Sequence, residues 1–529
     1  MDSATLTTLP DDPEILKGII GTLTREQERF CQEIELLREQ IHLLIAKRFG
    51  PSSEKTAPRD NPQLPLFDLP EPAEIEPAPE IVEVPAHSRR KRGRKPLPAS
   101  LPRIEVVHDI DEAQKQCGCG ASLSRIGEEV AEKLDIIPAT IRVIRHIRPK
   151  YACKHCEGLD TDGATVKIAP APPQIIPKGI VTAGLLAQVL VGKFCDALPF
   201  YRQEKQFARL GVALGRATMC SWAMKAAEAC RPVVELLHHE IRSGPLINID
   251  ETSVQVLAEP GRAATTKSYM WVCRGGPPDK PGIRYHYAPS RSKAVAKQLL
   301  TEYTGVVQTD GYNGYDFLDT QEGVIHAGCL AHVRRTFDEI RKARGKKHHK
   351  TGSADVALNW IKQLYRIESE AKRQELTGDE LLAERRGKAK PILDDFHEWL
   401  REKATRAVPK SLLGKAVNYT LGQWDRLVVY LDHAEMSPDN NLVENAIRPF
   451  VVGRKKLGSF SGTPEGAQAS ADLYSLIESA KANGLEPYRY LRYLFEKLPF
   501  AQSPEDYRAL LPMQLKPEQL RLDYDATAV

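Results

Sequence analysis

No apolar run in this chain approaches the ~18–20 residues a membrane-crossing helix needs, and the first residues lack the basic-then-apolar pattern of an export leader. Those two absences set aside a membrane-embedded or secreted protein. Cysteine is sparse as well: ten residues in 529, mostly scattered, which suits a reducing cytosol better than a disulfide framework. Nor is there a large overall charge. The net +4 says little about partners, because the charge is segregated. Residues 68–83 hold only acids among charged types, whereas Arg89-Arg-Lys-Arg-Gly-Arg-Lys95 is almost purely basic. The expected class is a soluble intracellular protein of three or four domains, at the usual ~100–200 residues each.

What is present divides the chain into segments. Within residues 1–50, Leu16, Ile20, Leu23, Phe30, Ile34, Leu37, Ile41 and Leu44 step by fours and threes, with Gln27 in the one gap. That is a heptad seam, favouring a self-associating coiled coil; one amphipathic helix packed on its own domain would give the same pattern. Residues 51–103 begin with a Pro- and Glu-rich stretch without periodicity, an extended linker. They continue into Arg90-Lys-Arg-Gly-Arg-Lys-Pro96. An Arg-Gly-Arg core suits the narrow minor groove of A·T-rich DNA, so Arg92 and Arg94 are candidate DNA contacts of an AT-hook-like arm; a generic solvated basic stretch reads alike.

Residues 104–170 carry Cys117-Gly-Cys119 and Cys153-Lys-His-Cys156. Four thiolates, Cys117, Cys119, Cys153 and Cys156, can enclose a structural Zn²⁺ in a module too small for much core. The first pair is tighter than the usual spacing, and reduced, unmetallated cysteines are the alternative. Residues 171–243 read as mainly helical, with a helix, a turn at Gly211 and a second helix. That suits a helix-turn-helix, with Arg216 and Thr218 near the start of its second helix, or an ordinary helical hairpin.

The clearest fold signal runs from 244 to 332. Strand-like runs at 246–256, 268–274 and 283–288 are followed by a helical stretch at 292–303, then runs at 305–309 and 323–326 and a basic helix from about Leu330. Three meandering strands, a crossover helix and further strands is the order of an RNase H-like α/β domain, in which the first and fourth strands are neighbours. Residues 333–430 read as a helical insertion, residues 431–480 as the second part of the core, and residues 481–529 as a C-terminal helical element with a loosely attached tail. The expected architecture is thus multidomain α/β: an RNase H-like catalytic domain with a helical insertion, preceded by coiled coil, zinc module and helical DNA-binding region.

Three acids sit where such a domain would use them. Asp250 closes the run Leu246-Ile-Asn-Ile249, Asp310 closes Gly305-Val-Val-Gln-Thr309, and Glu444 lies in a short helical pattern opened by Ser437 and Pro438 as expected cap and first turn. Strand cleavage and transfer in DNA needs an activated nucleophilic oxygen and a neutralised leaving oxygen. Two Mg²⁺ ions, or Mn²⁺, held by hard carboxylate oxygens about 3.5–4 Å apart supply both. Arg448, one turn beyond Glu444, is available to a DNA phosphate or to orient the glutamate. His326, Cys329 and His332 also invite a metal reading, but a strand end running into a helix does not bring all three together easily; positioning or DNA contacts are the preferred roles.

These residues carry a resemblance. Asn248-Ile-Asp-Glu-Thr252, Thr309-Asp-Gly-Tyr-Asn-Gly-Tyr315, His326-Ala-Gly-Cys-Leu-Ala-His-Val-Arg-Arg335 and Asp439-Asn-Asn-Leu-Val-Glu-Asn-Ala-Ile-Arg-Pro449 are similar to the transposases of the insertion-sequence-66 family. So are the two cysteine pairs and Gly453-Arg-Lys-Lys-Leu457 with Phe460-Ser-Gly462. The resemblance implies a bacterial DDE transposase acting in the nucleoid, with Asp250 and Asp310 as its aspartates and Glu444 as its glutamate. It implies DNA partners, both element ends and target, with Arg334, Arg335, Arg454 and Lys455 joining the candidate contacts. Small accessory proteins of the same element and a homo-oligomer are further implied partners. A catalytically inactive DNA-binding descendant of such an enzyme is the alternative.

Overall fold

The computed structural model describes residues 13–49, 141–152, 166–344, 352–457 and 461–521. Helix α1 (Pro13–Phe49) is continuous. Its heptad face is exposed, with Phe30 at 61% and Leu44 at 66%, while Leu36, Glu39 and Leu43 on another face are half-buried. Glu39 accepts the backbone N–H of Leu412 at 3.1 Å. Strands β1 (Lys150–Ala152) and β2 (Val166–Ile168) form an antiparallel pair. The four candidate zinc ligands, Cys117, Cys119, Cys153 and Cys156, and the basic arm with Arg92 and Arg94 lie outside the described residues.

Helices α2 (Ala183–Phe194), α3 (Phe200–Arg209) and α4 (Arg216–Arg242) follow. The turn between α3 and α4 puts Gly211 at φ +81°, a left-handed conformation that glycine adopts without strain. The expected helix, glycine turn and helix are there, but the second helix runs on far past a recognition helix. It buries Met219, Trp222, Ala226, Cys230, Val233 and Val234 in the same core as the sheet. The pair is therefore a wall of that core and not a separate module.

The sheet has five strands: β3 (Leu246–Gln255), β4 (Lys267–Gly275), β5 (Gly282–Ala288), β6 (Gly305–Gln308) and β7 (Val324–Ala327), in the order β5-β4-β3-β6-β7. The hairpin partners β3, β4 and β5 run antiparallel. Helix α5 (Lys293–Leu299) carries the chain across, so that β6 pairs in parallel with β3 and β7 with β6. The first and fourth runs are neighbours, as their order in the chain predicts. At the β5 edge, the Ile283 and Tyr285 N–H groups donate to the hydroxyls of Ser479 and Ser475, each at 2.8 Å. A helix with serines one turn apart thus covers an edge that would otherwise offer unpaired donors.

The insertion builds a second apolar core with Leu246, Val306 and Ala327 of the sheet, from α6 (Leu330–Arg344), α7 (Ser353–Arg373), α9 (Lys390–Arg406), α10 (Leu412–Gly422) and α11 (Trp424–Leu427), while the short α8 (Gly378–Glu384) buries none of its residues. A π-helical turn at Arg385–Ala389 joins α8 to α9. The chain then returns to the sheet through α12 (Asn441–Leu457), α13 (Pro464–Ala482), which supplies the two serines, α14 (Pro487–Lys497) and α15 (Pro504–Ala509). The loosely attached tail expected after α14 is corrected as far as residue 521. Leu510, Leu511, Met513, Leu515 and Leu520 are buried in the main core, so the end of the described chain contributes to the packing.

Candidate active site

Parallel pairing of β3 with β6 sets Leu246, Ile247 and Asn248 opposite Val306, Val307 and Gln308. Carried on two residues, that register puts Asp250 level with Asp310. Side-chain oxygens of Asp250, Glu251 and Asp310 lie within 4.8 Å of one another. Each aspartate is oriented by backbone: Glu251 N–H donates to Asp250 Oδ1 at 2.7 Å, and Tyr312 N–H donates to Asp310 Oδ1 at 3.0 Å. The second bond comes from the turn that Asp310 opens. Burial pushes the Asp250 carboxyl well above its ordinary range, and the nearby Glu251, Asp310 and Glu444 charges push it further. A buried acid with like charges around it is a site that gains from a cation.

Glu444 reaches the same cleft from the far side of the insertion, and the cleft is lined by Asp250, Asp310 and Glu444 together with Glu251, Arg291, His332 and Arg335. A buried amide network brings it there. Asn248 Nδ2 donates to Gln308 Oε1 at 2.7 Å and to Asn440 Oδ1 at 3.0 Å. Asn440 Nδ2 donates to Ile249 O at 3.1 Å, and Gln308 Nε2 to Gly328 O at 3.0 Å and Ser437 O at 2.9 Å. The helix holding Glu444 begins at Asn441, so Ser437 and Pro438 do not cap it as the sequence suggested. Their carbonyls are engaged elsewhere, Ser437 O by Gln308 and Pro438 O by Leu330 N–H. Asp439, just outside the helix, turns the chain into it, its Oδ1 accepting the first helical N–H, that of Asn441, at 3.1 Å.

Two groups at the site escape a reading of the sequence. The Glu251 side chain is fully buried, ion-paired with Arg291 Nε and hydrogen-bonded by the Tyr315 hydroxyl. Burial raises its carboxyl above the usual range, with Tyr315 and Arg291 opposing. Arg291 also approaches Asp310 Oδ2 at 3.5 Å and lies over the Tyr312 ring at 3.7 Å. Glu251 immediately follows Asp250 and Arg291 sits in a polar turn, so neither stands out from surface charge. The one available signal is the tyrosine pair in Gly311-Tyr-Asn-Gly-Tyr315, whose rings hold both.

His326, Cys329 and His332 separate as anticipated. The His326 ring meets Asp319 Oδ1 at 2.7 Å and Thr309 Oγ1 at 2.9 Å, bracing β7 against β6. Cys329 and His332 instead join Glu444, their ligand atoms all within 4.8 Å. His332 Nδ1 and Glu444 Oε1 are 3.8 Å apart, and both are shielded from solvent without a hydrogen bond. An unpaired buried polar atom costs about 1–3 kcal/mol, so the pair gains from any partner that bonds to both atoms. Burial and the neighbouring Arg335 hold the His332 imidazole below its usual range against the pull of Glu444 and Asp310. Burial pushes the Cys329 thiol up to about 12. The donor set, carboxylates with one imidazole around a shielded gap, fits a divalent cation.

The candidate DNA contacts scatter around this cleft. Arg335 is half-exposed and 3.6 Å from Glu444 Oε2; Arg334, its neighbour, is half-buried and does not line the cleft. Arg448 is exposed one turn beyond Glu444. Arg454 Nη1 is spent on the Thr252 and Ser253 hydroxyls at 3.1 and 3.2 Å, tying α12 to β3. Lys455 lies in α12, its side chain outside the described residues. Arg216 and Thr218 are exposed at the start of α4, where the Glu204 carboxylate accepts Arg216 N–H at 3.3 Å.

A family model described as "Transposase IS66 family" matches residues 178–469, and one described as "zinc-finger binding domain of transposase IS66" matches residues 114–157. Residues 36–106 match "Transposase C of IS166 homeodomain" and residues 475–513 "IS66 C-terminal element". Among curated proteins, the uncharacterized protein y4jD of Sinorhizobium fredii is 33% identical over 439 residues, covering 80% of this chain and 82% of its own. The uncharacterized protein y4qI of the same organism is 27% identical over 555 aligned positions, covering 97% and 98%. No solved structure matches. No described helix is long and apolar enough to cross a membrane.

Proposed function

The chain belongs to the IS66 transposase family, and from that premise we propose that it binds the terminal inverted repeats of its own element and catalyses divalent-metal-dependent DNA cleavage and strand transfer. The observation that carries the reading is the convergence of Asp250, Asp310 and Glu444 on one cleft. The strand order β5-β4-β3-β6-β7 supports an RNase H-like core, with the two aspartates side by side on β3 and just past β6. Mg²⁺, or Mn²⁺, held by these three carboxylates would make the attacking hydroxyl more acidic and offset charge on the leaving oxygen. The protein's own part is positional. Backbone N–H groups aim Asp250 and Asp310, the amide network fixes the start of α12, and Arg335 at the rim meets a phosphate. Attack proceeds in line, first by water and then by a DNA 3′-hydroxyl, without a covalent enzyme intermediate.

The remaining parts serve the ends of the element. The zinc module with Cys117, Cys119, Cys153 and Cys156 and the arm with Arg92 and Arg94 grip end DNA in the bacterial cytoplasm. The exposed heptad face of α1 pairs protomers so that two ends meet, with small proteins of the same element as helpers. The test is joining of labelled end DNA by purified protein with Mg²⁺. Asp250→Asn is expected to reduce joining to background while end binding persists. Joining that survives this substitution removes Asp250 from the site; wild-type protein that binds ends and never cuts them makes the chain a DNA-binding descendant only.

A further inference from the structure

We infer that His332 is a nitrogen ligand to the divalent ion held by Glu444, giving that half of the metal pair a mixed nitrogen and oxygen donor set. The inference rests on the reading of Glu444 as a metal-holding carboxylate. Its own basis is a gap with no protein solution. His332 Nδ1 and Glu444 Oε1 face each other across 3.8 Å, both shielded and both without a hydrogen bond. A direct N–H···O bond spans about 2.7–3.2 Å, so they do not satisfy one another. A single water bonded to both at about 2.8 Å would subtend roughly 85°, much tighter than the tetrahedral angle water favours. Two ligands about 2.1 Å from one cation stand about 3.0–3.5 Å apart. Side-chain rotation closes the small remaining difference.

The backbone presets the two ligands. His332 is in the first turn of α6 and Glu444 in the first turn of α12. The two helix starts are tied by Leu330 N–H to Pro438 O at 2.9 Å and by Asn440 N–H to Cys329 Sγ at 3.2 Å. Cys329 is therefore engaged as an acceptor at the back of the site, and the ion meets imidazole and carboxylate. Across the cleft Glu251 is held by Arg291 and Tyr315, which leaves Asp250 and Asp310 for the other ion. An imidazole donor raises affinity for Mn²⁺ more than for Mg²⁺, whose preference is all-oxygen ligation.

Pulsed EPR on the full-length, zinc-loaded, tag-free protein titrated with Mn²⁺ tests this directly. The expected spectrum shows ¹⁴N modulation from a coordinated imidazole in the wild type. His332→Ala and His332→Gln lose it and bind Mn²⁺ more weakly by at least the roughly 10-fold that even an outer-shell partner is worth, with a smaller change for Mg²⁺. Bound Mn²⁺ without nitrogen coupling in the wild type, or coupling that survives both substitutions, overturns the assignment while leaving the carboxylate site intact. The carboxylate reading fails separately, if Asp250→Asn and Asp310→Asn leave the number of bound Mn²⁺ ions unchanged.

Discussion

At Asn440 one buried side chain serves two parts of the fold that are far apart in sequence: Nδ2 donates to Ile249 O, and Oδ1 accepts from Asn248. Asn440 and Asn248 are at most 1% exposed, so water cannot replace either bond. Asn440→Ala would strand the Ile249 carbonyl and one Asn248 N–H. The expected loss is about 2–3 kcal/mol of stability, read from urea unfolding followed by tryptophan fluorescence. The same change frees the start of α12 from β3, so strand transfer should fall by more than the unfolded fraction explains at temperatures where the variant stays folded. Joining that merely tracks the folded fraction would mean that Glu444 is held by α12 packing alone. A residue that touches no substrate thus decides where a carboxylate sits.

Among the elements, the π-helical turn at Arg385–Ala389 does for the insertion what Asn440 does for the sheet. Arg385 is 2% exposed and pairs with Glu368 at 2.8 Å, while its other donors take the carbonyls of Tyr430, His433 and Met436 at 2.7, 2.9 and 2.9 Å. Those carbonyls belong to the segment that leads into Ser437–Asn440, so the insertion grips the strap on which Glu444 depends. Arg385→Leu is expected to cost about 3–5 kcal/mol, because it strands three backbone carbonyls and leaves the partly buried Glu368 carboxylate without its partner; Arg385→Lys should fall between. Thermal unfolding and protease nicking near residue 430 measure both, and a Leu variant as stable as the wild type would sink the idea. Nothing local marks this arginine, since Arg385 and Arg386 look alike in the sequence and only tertiary contact separates them. The strands were far more legible, because β-branched runs ending in turn residues are a local pattern. All five lie within two residues of where alternation and turns put them, and the adjacency of Asp250 and Asp310 follows from their order. The start of α12 is not legible in the sequence, because Ser437 and Pro438 carry capping chemistry and only the folded partners Gln308 and Leu330 draw them away.

At the scale of the whole molecule, α1 presents an uncovered apolar stripe. Ile20, Phe30, Ile34, Leu37, Ile41 and Leu44 are all exposed by about half or more of their surface, on a single stripe. A continuous apolar stripe of that length is costly to leave in water, and heptad spacing lets an identical helix bury it by knobs-into-holes packing. The opposite side is already in use, through Glu39 and the N–H of Leu412, so a second copy can dock without disturbing the body. Leu37→Glu with Ile41→Glu places like charges across such a seam. The expected outcome is a shift to monomer mass by light scattering, with binding of a single DNA end retained and joining of two ends lost. If the doubly substituted protein keeps the wild-type mass, the stripe is not the interface. If it becomes monomeric yet still joins paired ends, one chain completes the reaction and the seam serves some other assembly.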